Sequence, residues 1–492
     1  MRSAGMWTLV LATAAVGASA DVTGAAEVTL RMRSGDFSIK GEVQSFDGAS
    51  YRLYSQAFGT MTLDASRFEC LGDGCPRATF AALATPAVPQ AGGTPGEISI
   101  AGSNTIGNQL MPGLIEGYAQ ASGLKATKVV GANPLDMDLK LADASGREVA
   151  TIALHRHGSS TSFRELEKKS TEIGMSSRRI KTEEVQKLAA AGLGNMLAPT
   201  HEHVLGLDGL MVLVAEQNPA VSISIDNLAK VFAGQITDWA ELGLPAGKIN
   251  VYAPTPDSGT FETFNQLVLE PRKLKVVETA KRTANHAEQS DWVSRDPLGI
   301  GFAGIAYQRN TRALNIEAAC GLITRPSTFT MKTEEYPLSR RLYLYTPGAP
   351  RDPLASGLLA FALSPAAQPI VKRYDFIDQT PVPLEFEQQT TRVAYGLNAQ
   401  NEDFDMTLMR TLISEMRDAK RLSLTFRFET GSWALDTKAQ ADVGRLRDLM
   451  QTPEYRGRRI MLMGFADAVG RFDNNLNLSR RRAEAVQQAL AA

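Results

Sequence analysis

The chain has 492 residues, too long for one ordinary domain, and about three are expected. Hydrophobic residues make up 43% and charged residues 21%, a soluble globular composition that excludes global disorder. Lys+Arg is 52 against Asp+Glu 53, a formal net charge of −1 that excludes a general polyanion binder such as a nucleic-acid coat, and three Cys can build neither a disulfide-stapled scaffold nor a four-cysteine zinc site.

Residues 1–20, MRSAGMWTLVLATAAVGASA, read as a secretory signal peptide. One Arg precedes an apolar run too short to span a bilayer, and Ala18-Ser19-Ala20 supplies small residues for cleavage. Export places the cysteines in an oxidising compartment. Cys70 and Cys75 bracket the turn CLGDGC and are expected to form a disulfide, whereas Cys320 sits in apolar AACGL and reads as a buried thiol. Residues 27–80 open with short period-two runs separated by Gly, Asp and Ser, which predicts a small β module of four or five strands without a catalytic constellation. Residues 81–96 are Ala/Pro/Gly-rich and read as a linker. A second linker is expected over 386–405.

Between the linkers, residues 97–385 alternate strands and helices, which implies an α/β domain or a pair of lobes. Four loops rich in small hydroxyl residues each stand at a helix start. Ala101-Gly102-Ser103-Asn104-Thr105 follows the strand EISI, and Gly158-Ser159-Ser160-Thr161 precedes FRELEKK. Ser176-Ser177-Arg178 precedes KTEEVQKLAA, and Ser258-Gly259-Thr260 follows INVYAP. Such loops present N–H groups and hydroxyls to an anion at the positive end of a helix. A helix cap explains any one of them. Four together suit a desolvated oxyanion, which must have nearly every oxygen hydrogen-bonded.

The series AGSNTIG, IGMSSRRI, DGLMVLV, VFAGQITDW, DSGTFETF and GIGFAGIAY resembles, in order, the phosphate-type (PstS-like) periplasmic binding proteins of ABC importers. The resemblance covers residues 97 to about 385. It implies two α/β lobes joined by crossover strands and closing over the ligand like a hinge. It also implies oxyanion contacts from Ser103, Asn104, Thr105, Ser159, Ser160, Ser176, Ser177, Ser258, Gly259 and Thr260. Members of that family place an Arg shortly before the last Ser-Gly-Thr, where this chain has Ala253-Pro254-Thr255-Pro256. They often place an Asp in the loop that here reads Ser177-Arg178, and that acceptor favours protonated phosphate over sulfate. Arg178 is the candidate to restore the positive charge.

Two other chemistries compete. His155/His157 and His201/His203 are spaced to share a strand face, and each pair offers two metal ligands. Glu202 would point away from its histidines, and His203 lies in EHVLGLDG, which resembles ordinary sequence of that family, so no metal and no cofactor is assigned. An enzyme would need Ser258 as nucleophile and His286 as base. No G-x-S-x-G elbow, H-E-x-x-H or P-loop accompanies them, and the chain is read as no enzyme.

Residues 406–492 hold 15 Lys+Arg and 10 Asp+Glu, a net of +5, which leaves 37 against 43, or −6, for the remainder. Leu422–Phe428 and 459–465 alternate as strands, with a helix over 437–450 between them. Ser479 is expected to cap a final helix with Ala483, Val486 and Leu490 inward. Gly464, Asp467, Gly470, Asn475, Leu478, Ser479, Arg482, Ala483 and Val486 are spaced as in the OmpA-like peptidoglycan-binding domain, an α+β domain. The resemblance implies that Asp467 and Arg482 hold the ammonium and carboxylate of diaminopimelate, with Asn475 beside them. It further implies a strand, loop and helix beyond Ala492, so the domain is expected to be incomplete there.

The expectation is an α/β, two-lobed type 2 binding-protein domain between a β module and an OmpA-like segment. Its partners would be inorganic phosphate or a similar oxyanion, peptidoglycan and an ABC importer, with no nucleic acid, at the periplasmic cell wall or outer membrane. The alternative is a structural or sensory envelope protein whose central domain transports nothing and binds a protein partner.

Overall fold

The computed structural model describes residues 28–32, 38–46, 50–64, 68–71, 96–256, 258–283, 285–318, 321–389, 406–428, 431–466 and 471–491. The expected signal peptide, Cys75, Cys320 and Asp467 lie outside them; Cys70 is disulfide-bonded.

The N-terminal strands form a five-stranded antiparallel sheet in the order Gly59–Asp64, Ser50–Ser55, Ser38–Phe46, Val28–Met32 and Phe68–Leu71. Period-two alternation turns Val28, Leu30, Ile39, Leu53 and Phe68 to one buried face.

The central residues build an 11-stranded sheet shared by two lobes. Its order is Lys281–Thr283, Asn250–Pro254, Gly299–Gly304, Glu202–Val214, Ser339–Tyr345, Ile173–Ser176, Gly96–Gly102, Glu148–His155, Asp136–Ala142 and Lys125–Val130, with Arg312–Ala313 also on Glu202–Val214. Parallel pairs sit inside each lobe: Gly96–Gly102 lies between Glu148–His155 and Ile173–Ser176, and Asn250–Pro254 between Lys281–Thr283 and Gly299–Gly304. Gly96–Gly102, Ile173–Ser176 and Gly299–Gly304 are largely buried and read as apolar runs, whereas Lys281–Thr283 is a part-exposed polar edge.

The two largest hydrophobic cores divide the sheet, and a smaller third one packs Phe163 and Leu166 against Val204, Tyr343 and Tyr345. The first takes Ile98, Ile100, Leu139, Ile152, Leu205, Leu342 and the helix Pro353–Leu363. The second takes Leu207, Leu210, Phe232, Phe264, Phe302 and Leu338. Phe264 and Phe302 stack with centroids 3.8 Å apart, and Phe232 packs against both. The changeover falls between Leu205 and Leu207 on one long strand and between Leu338 and Leu342 on its antiparallel neighbour. The register shifts there, between Val204 and Gly206. Leu207 also exchanges backbone hydrogen bonds with Ile377, at 2.9 and 2.8 Å, which returns the chain to the same seam. This is the two-lobed periplasmic-binding-protein fold, with strands crossing at a hinge. Among the described residues no single helix is long and apolar enough to cross a membrane.

The C-terminal segment departs from expectation in two ways. The strand over Leu422–Phe428 shrinks to Arg421–Leu422, paired with Pro383–Leu384 of the receptor, and 459–465 forms no strand. The polar half of the alternation docks on the receptor instead. The Ser423 amide donates to the Val382 carbonyl at 2.9 Å, Arg421 pairs with Glu335, and Arg427 donates to the carbonyls of Thr333 and Glu334. The last helix runs Phe472–Ala491, so Ser479 lies inside it and does not cap it; its hydroxyl donates to the Leu476 carbonyl at 2.9 Å. The middle helix, Thr437–Gln451, starts at an Asp436 cap.

Candidate functional site

Three of the four hydroxyl loops meet on the first lobe. Gly102 has φ +138, and a Cβ there would collide with the Met175 carbonyl, so only glycine lets the first loop lie against the third. The Ser103 amide donates to Met175 at 2.9 Å. The Gly158 amide reaches both the Gly102 carbonyl and Asn104 Oδ1, each at 2.9 Å. Ser159 Oγ lies 3.1 Å from Ser177 Oγ and accepts from the Ser177 amide. Ser103 is 1% exposed, and its buried hydroxyl has no hydrogen-bond partner among the described residues.

The fourth loop faces them from the second lobe. Ser258 caps Gly259–Phe264 by accepting from the Thr260 amide at 3.2 Å. A Cβ on Gly259 would overlap Thr105 Oγ1 and reach within 3.4 Å of Ser177 Oγ. The two lobes therefore touch through Thr105, Ser177 and Gly259.

Two residues that the sequence analysis missed stand at this contact. Arg340 lies directly across the sheet from Asp208, where the two long strands cross between lobes. Its Nε and Nη2 bond Asp208 Oδ2 at 2.9 and 2.6 Å. Nη1 donates to the Gly259 carbonyl at 2.7 Å and to Thr263 Oγ1, and Nη2 lies 3.4 Å from Thr105 Oγ1. One buried guanidinium thus spans both lobes. A signal existed for one of them: Asp208 is a charge within the otherwise apolar run LDGLMVLV, whereas Arg340 stands beside Arg341 at the start of SRRLYLY.

Arg178, the expected source of positive charge, is already paired with carboxylates, one of them on the second lobe's helix Gly259–Phe264. It forms a bidentate pair with Glu184 at 2.7 and 2.8 Å, approaches Glu262 at 3.3 Å, and holds Ser160 Oγ at 3.0 Å. Ser176 Oγ is tied to the Arg178 backbone at 2.6 Å. The structure therefore gathers Ser103, Asn104, Thr105, Ser159, Ser177, Ser258, Gly259 and Thr260 around the seam and gives Ser160, Ser176 and Arg178 other partners.

His286 also enters the site, with Nε2 3.3 Å from Ser258 Oγ. Burial lowers its pKa, the Arg340 charge lowers it further, and Asp208 opposes both. Its Nδ1 is buried without a partner among the described residues, so none of their carboxylates orients the ring as a nucleophile's base requires. Of the other histidine pairs, His155 and His157 converge on Asp136, whereas His201 faces Thr200 and His203 faces Thr346. Glu202 points to the opposite side, onto Arg179 and Tyr345.

A family model described as a PBP superfamily domain matches residues 90–366, more than half of the chain. The chain belongs to the PBP superfamily. A second model, described as the OmpA family, matches residues 427–492. Protein SphX of Synechococcus elongatus is 32% identical over 185 residues, which cover 35% of this chain and 53% of that protein. Phosphate-binding protein PstS of Borreliella burgdorferi is 27% identical over 234 residues, 46% of this chain and 79% of that one. A crystal structure of an ABC-type phosphate transport receptor from Vibrio cholerae aligns over 57% of this chain and 99% of its own, at 22% identity and a TM-score of 0.45.

Within the OmpA family segment, Arg482 donates from Nε to the Ser432 carbonyl at 3.0 Å and from Nη1 to the Phe465 carbonyl at 2.9 Å, and it stacks on Phe428. Asn475 is 8% exposed near the start of the last helix. Asp467, expected to hold the ligand's ammonium while Arg482 holds its carboxylate, is outside the described residues.

Proposed function

We propose that this PBP superfamily chain is an exported solute receptor that captures phosphate or a closely similar oxyanion between its lobes, and that its OmpA family segment tethers it to peptidoglycan at the cell wall. The observation that supports this best is Arg340, a buried cation on the crossing strand that reaches hydroxyls or carbonyls of both lobes. Beside it lie a buried Ser103 hydroxyl without a partner and the Ser177 and Thr260 loops. An anion entering the seam would exchange these contacts for its own oxygens. Arg340 would then fill the place of the Arg absent before Ser258, and Asp208 that of the absent acceptor. Like the phosphate-binding relatives, the chain would bind and release rather than catalyse, with an ABC importer as the recipient.

Titration calorimetry of the full chain with phosphate, sulfate and vanadate tests the receptor reading. One equivalent of phosphate should bind, with Arg340→Ala abolishing the heat; no heat and no thermal shift with any oxyanion would defeat it. A pull-down on insoluble peptidoglycan tests the tether, and unchanged binding by Asp467→Ala and Arg482→Ala would remove those residues from the site. One observation favours a second reading, a receptor domain retained for sensing rather than transport. The C-terminal segment bonds the crossing strands themselves, Thr437 to Glu202 and Asp436 to Arg341, each at 2.7 Å. Silence toward every oxyanion would support that reading.

A further inference from the structure

We propose that Asp136, His155 and His157 form a surface binding site for a transition-metal dication of the Zn²⁺ class, on the first lobe and outside the interlobe seam. The strands that carry Asp136 and His155 pair antiparallel, with the two residues directly opposite each other, and His157 lies two residues past the strand end. His157 returns to the same carboxylate, while Arg156 between them turns to Asn108. Arg156 holds the strand end in place: its amide bonds the Leu135 carbonyl at 2.9 Å, its Nε the same carbonyl at 3.1 Å, and its Nη1 Asn108 at 3.1 Å. The register past the end of the strand is thereby fixed, and both imidazoles arrive at one carboxylate.

His155 Nδ1 lies 2.9 Å and His157 Nε2 2.7 Å from the same Asp136 oxygen, and one ligand atom from each residue falls within 4.8 Å of the others. A tetrahedral zinc with bonds of about 2.0–2.1 Å separates its ligands by about 3.3 Å. Each imidazole nitrogen needs to draw back from the carboxylate oxygen by about half an ångström to admit the ion, and the two nitrogens, within 4.8 Å of each other, need to approach by no more than about 1.5 Å. Side-chain exposures of 44%, 34% and 32% for His155, His157 and Asp136 leave the remaining coordination to water. Two imidazoles and one carboxylate suit Zn²⁺, Cu²⁺ or Ni²⁺ rather than Mg²⁺ or Ca²⁺, which take oxygen ligands. The other histidine pair offers an internal comparison. His201 and His203 contact threonines, and Glu202 points away from them.

The test is calorimetry of the chelator-stripped full chain with ZnCl₂ in a buffer without phosphate, alongside Co²⁺ absorption spectroscopy. One equivalent should bind, and visible Co²⁺ bands should report nitrogen ligation. His155→Ala/His157→Ala should lose the equivalent, Asp136→Asn should bind at least about ten-fold more weakly, and His203→Ala should bind like the parent. The proposal is overturned by a parent that takes up no metal, or by a double variant with an unchanged melting temperature and the parent's stoichiometry. Should the double variant fail to fold, His157→Ala decides: loss of the Co²⁺ bands supports the site, and retention of the parent's spectrum overturns it.

Discussion

Arg340 is 8% and Asp208 3% exposed, and a buried pair of this kind is expensive to break from one side. Arg340→Ala strands the Asp208 carboxylate and is expected to cost about 3–5 kcal/mol in urea unfolding, besides removing oxyanion binding. Replacing both charges, as Arg340→Met with Asp208→Leu, should restore most of that stability and none of the binding. Stability and function would thus separate at one pair. Gly259→Ala is expected to do the reverse. Its Cβ overlaps the tip of Thr105, which can rotate away at little cost to the fold, but the Thr105 contact between lobes is then lost, with those of Arg340 and Arg178 remaining. Calorimetry should show phosphate affinity reduced about ten-fold or more, while the melting temperature stays near the parent's.

His203 carries a pH prediction. Burial, and secondarily the neighbouring His201, lowers its pKa from 6.5 to about 4. The unfolded chain therefore takes up a proton as pH falls below about 6.5, and the folded chain does so only near 4. Stability is full above that window and falls through it, by about 3 kcal/mol for a displacement of this size. Urea unfolding from pH 7 to 4 should show the loss, and His203→Gln, which keeps a polar partner for Thr346, should flatten the slope.

At the scale of elements, the hydroxyl loops were legible because a Gly/Ser/Thr run between an apolar strand and an amphipathic helix is a local pattern. Arg340 and Asp208 were not, because they are 132 positions apart and meet only through strand register. The strands expected over 422–428 and 459–465 failed for a related reason. Alternation predicts an extended chain with two faces, but it does not say what the polar face meets. Here Arg421, Ser423 and Arg427 meet the receptor. Ser479 was misplaced because its helix begins seven residues earlier, at Phe472. Arg341 ties these elements together, bonding Glu334 Oε2 at 2.9 Å and Asp436 Oδ2 at 2.7 Å. Glu334 is pushed up by burial and pulled further down by Arg341, so it stays ionised in the contact. Arg341→Met is expected to loosen the segment around Asp436, which limited proteolysis would report as cleavage in 421–436 at least about ten times faster. Equal cleavage rates would show that the contact does not hold the segment.

At the scale of the whole molecule, the near-zero net charge is an average of an acidic body and a basic C-terminal segment, +5 against −6. The structure puts that difference to use as ion pairs between them, Arg421 with Glu335 and Arg427 with Glu334, while Arg341 of the body pairs with Glu334 of the body and, with the signs reversed, with Asp436 of the segment. Such pairs are screened where exposed and persist where shielded, and those of Arg341 are largely shielded, at 11–15% side-chain exposure. Raising salt to 1 M should therefore leave the segment docked in the parent. In Arg341→Met the same salt should release it, read as an increased radius of gyration by small-angle scattering.

Arg340 and Arg341 are neighbours on one strand, and the pleat sends them to opposite faces. One reaches the seam between the lobes; the other reaches the C-terminal segment. If that segment is the tether, tension from the wall does not end in a slack leash. It enters the receptor one residue from the cation that spans the lobes, along the strand that serves as their hinge. Stretching the envelope would then load the hinge directly, and the grip on the anion would become a function of force as well as of concentration.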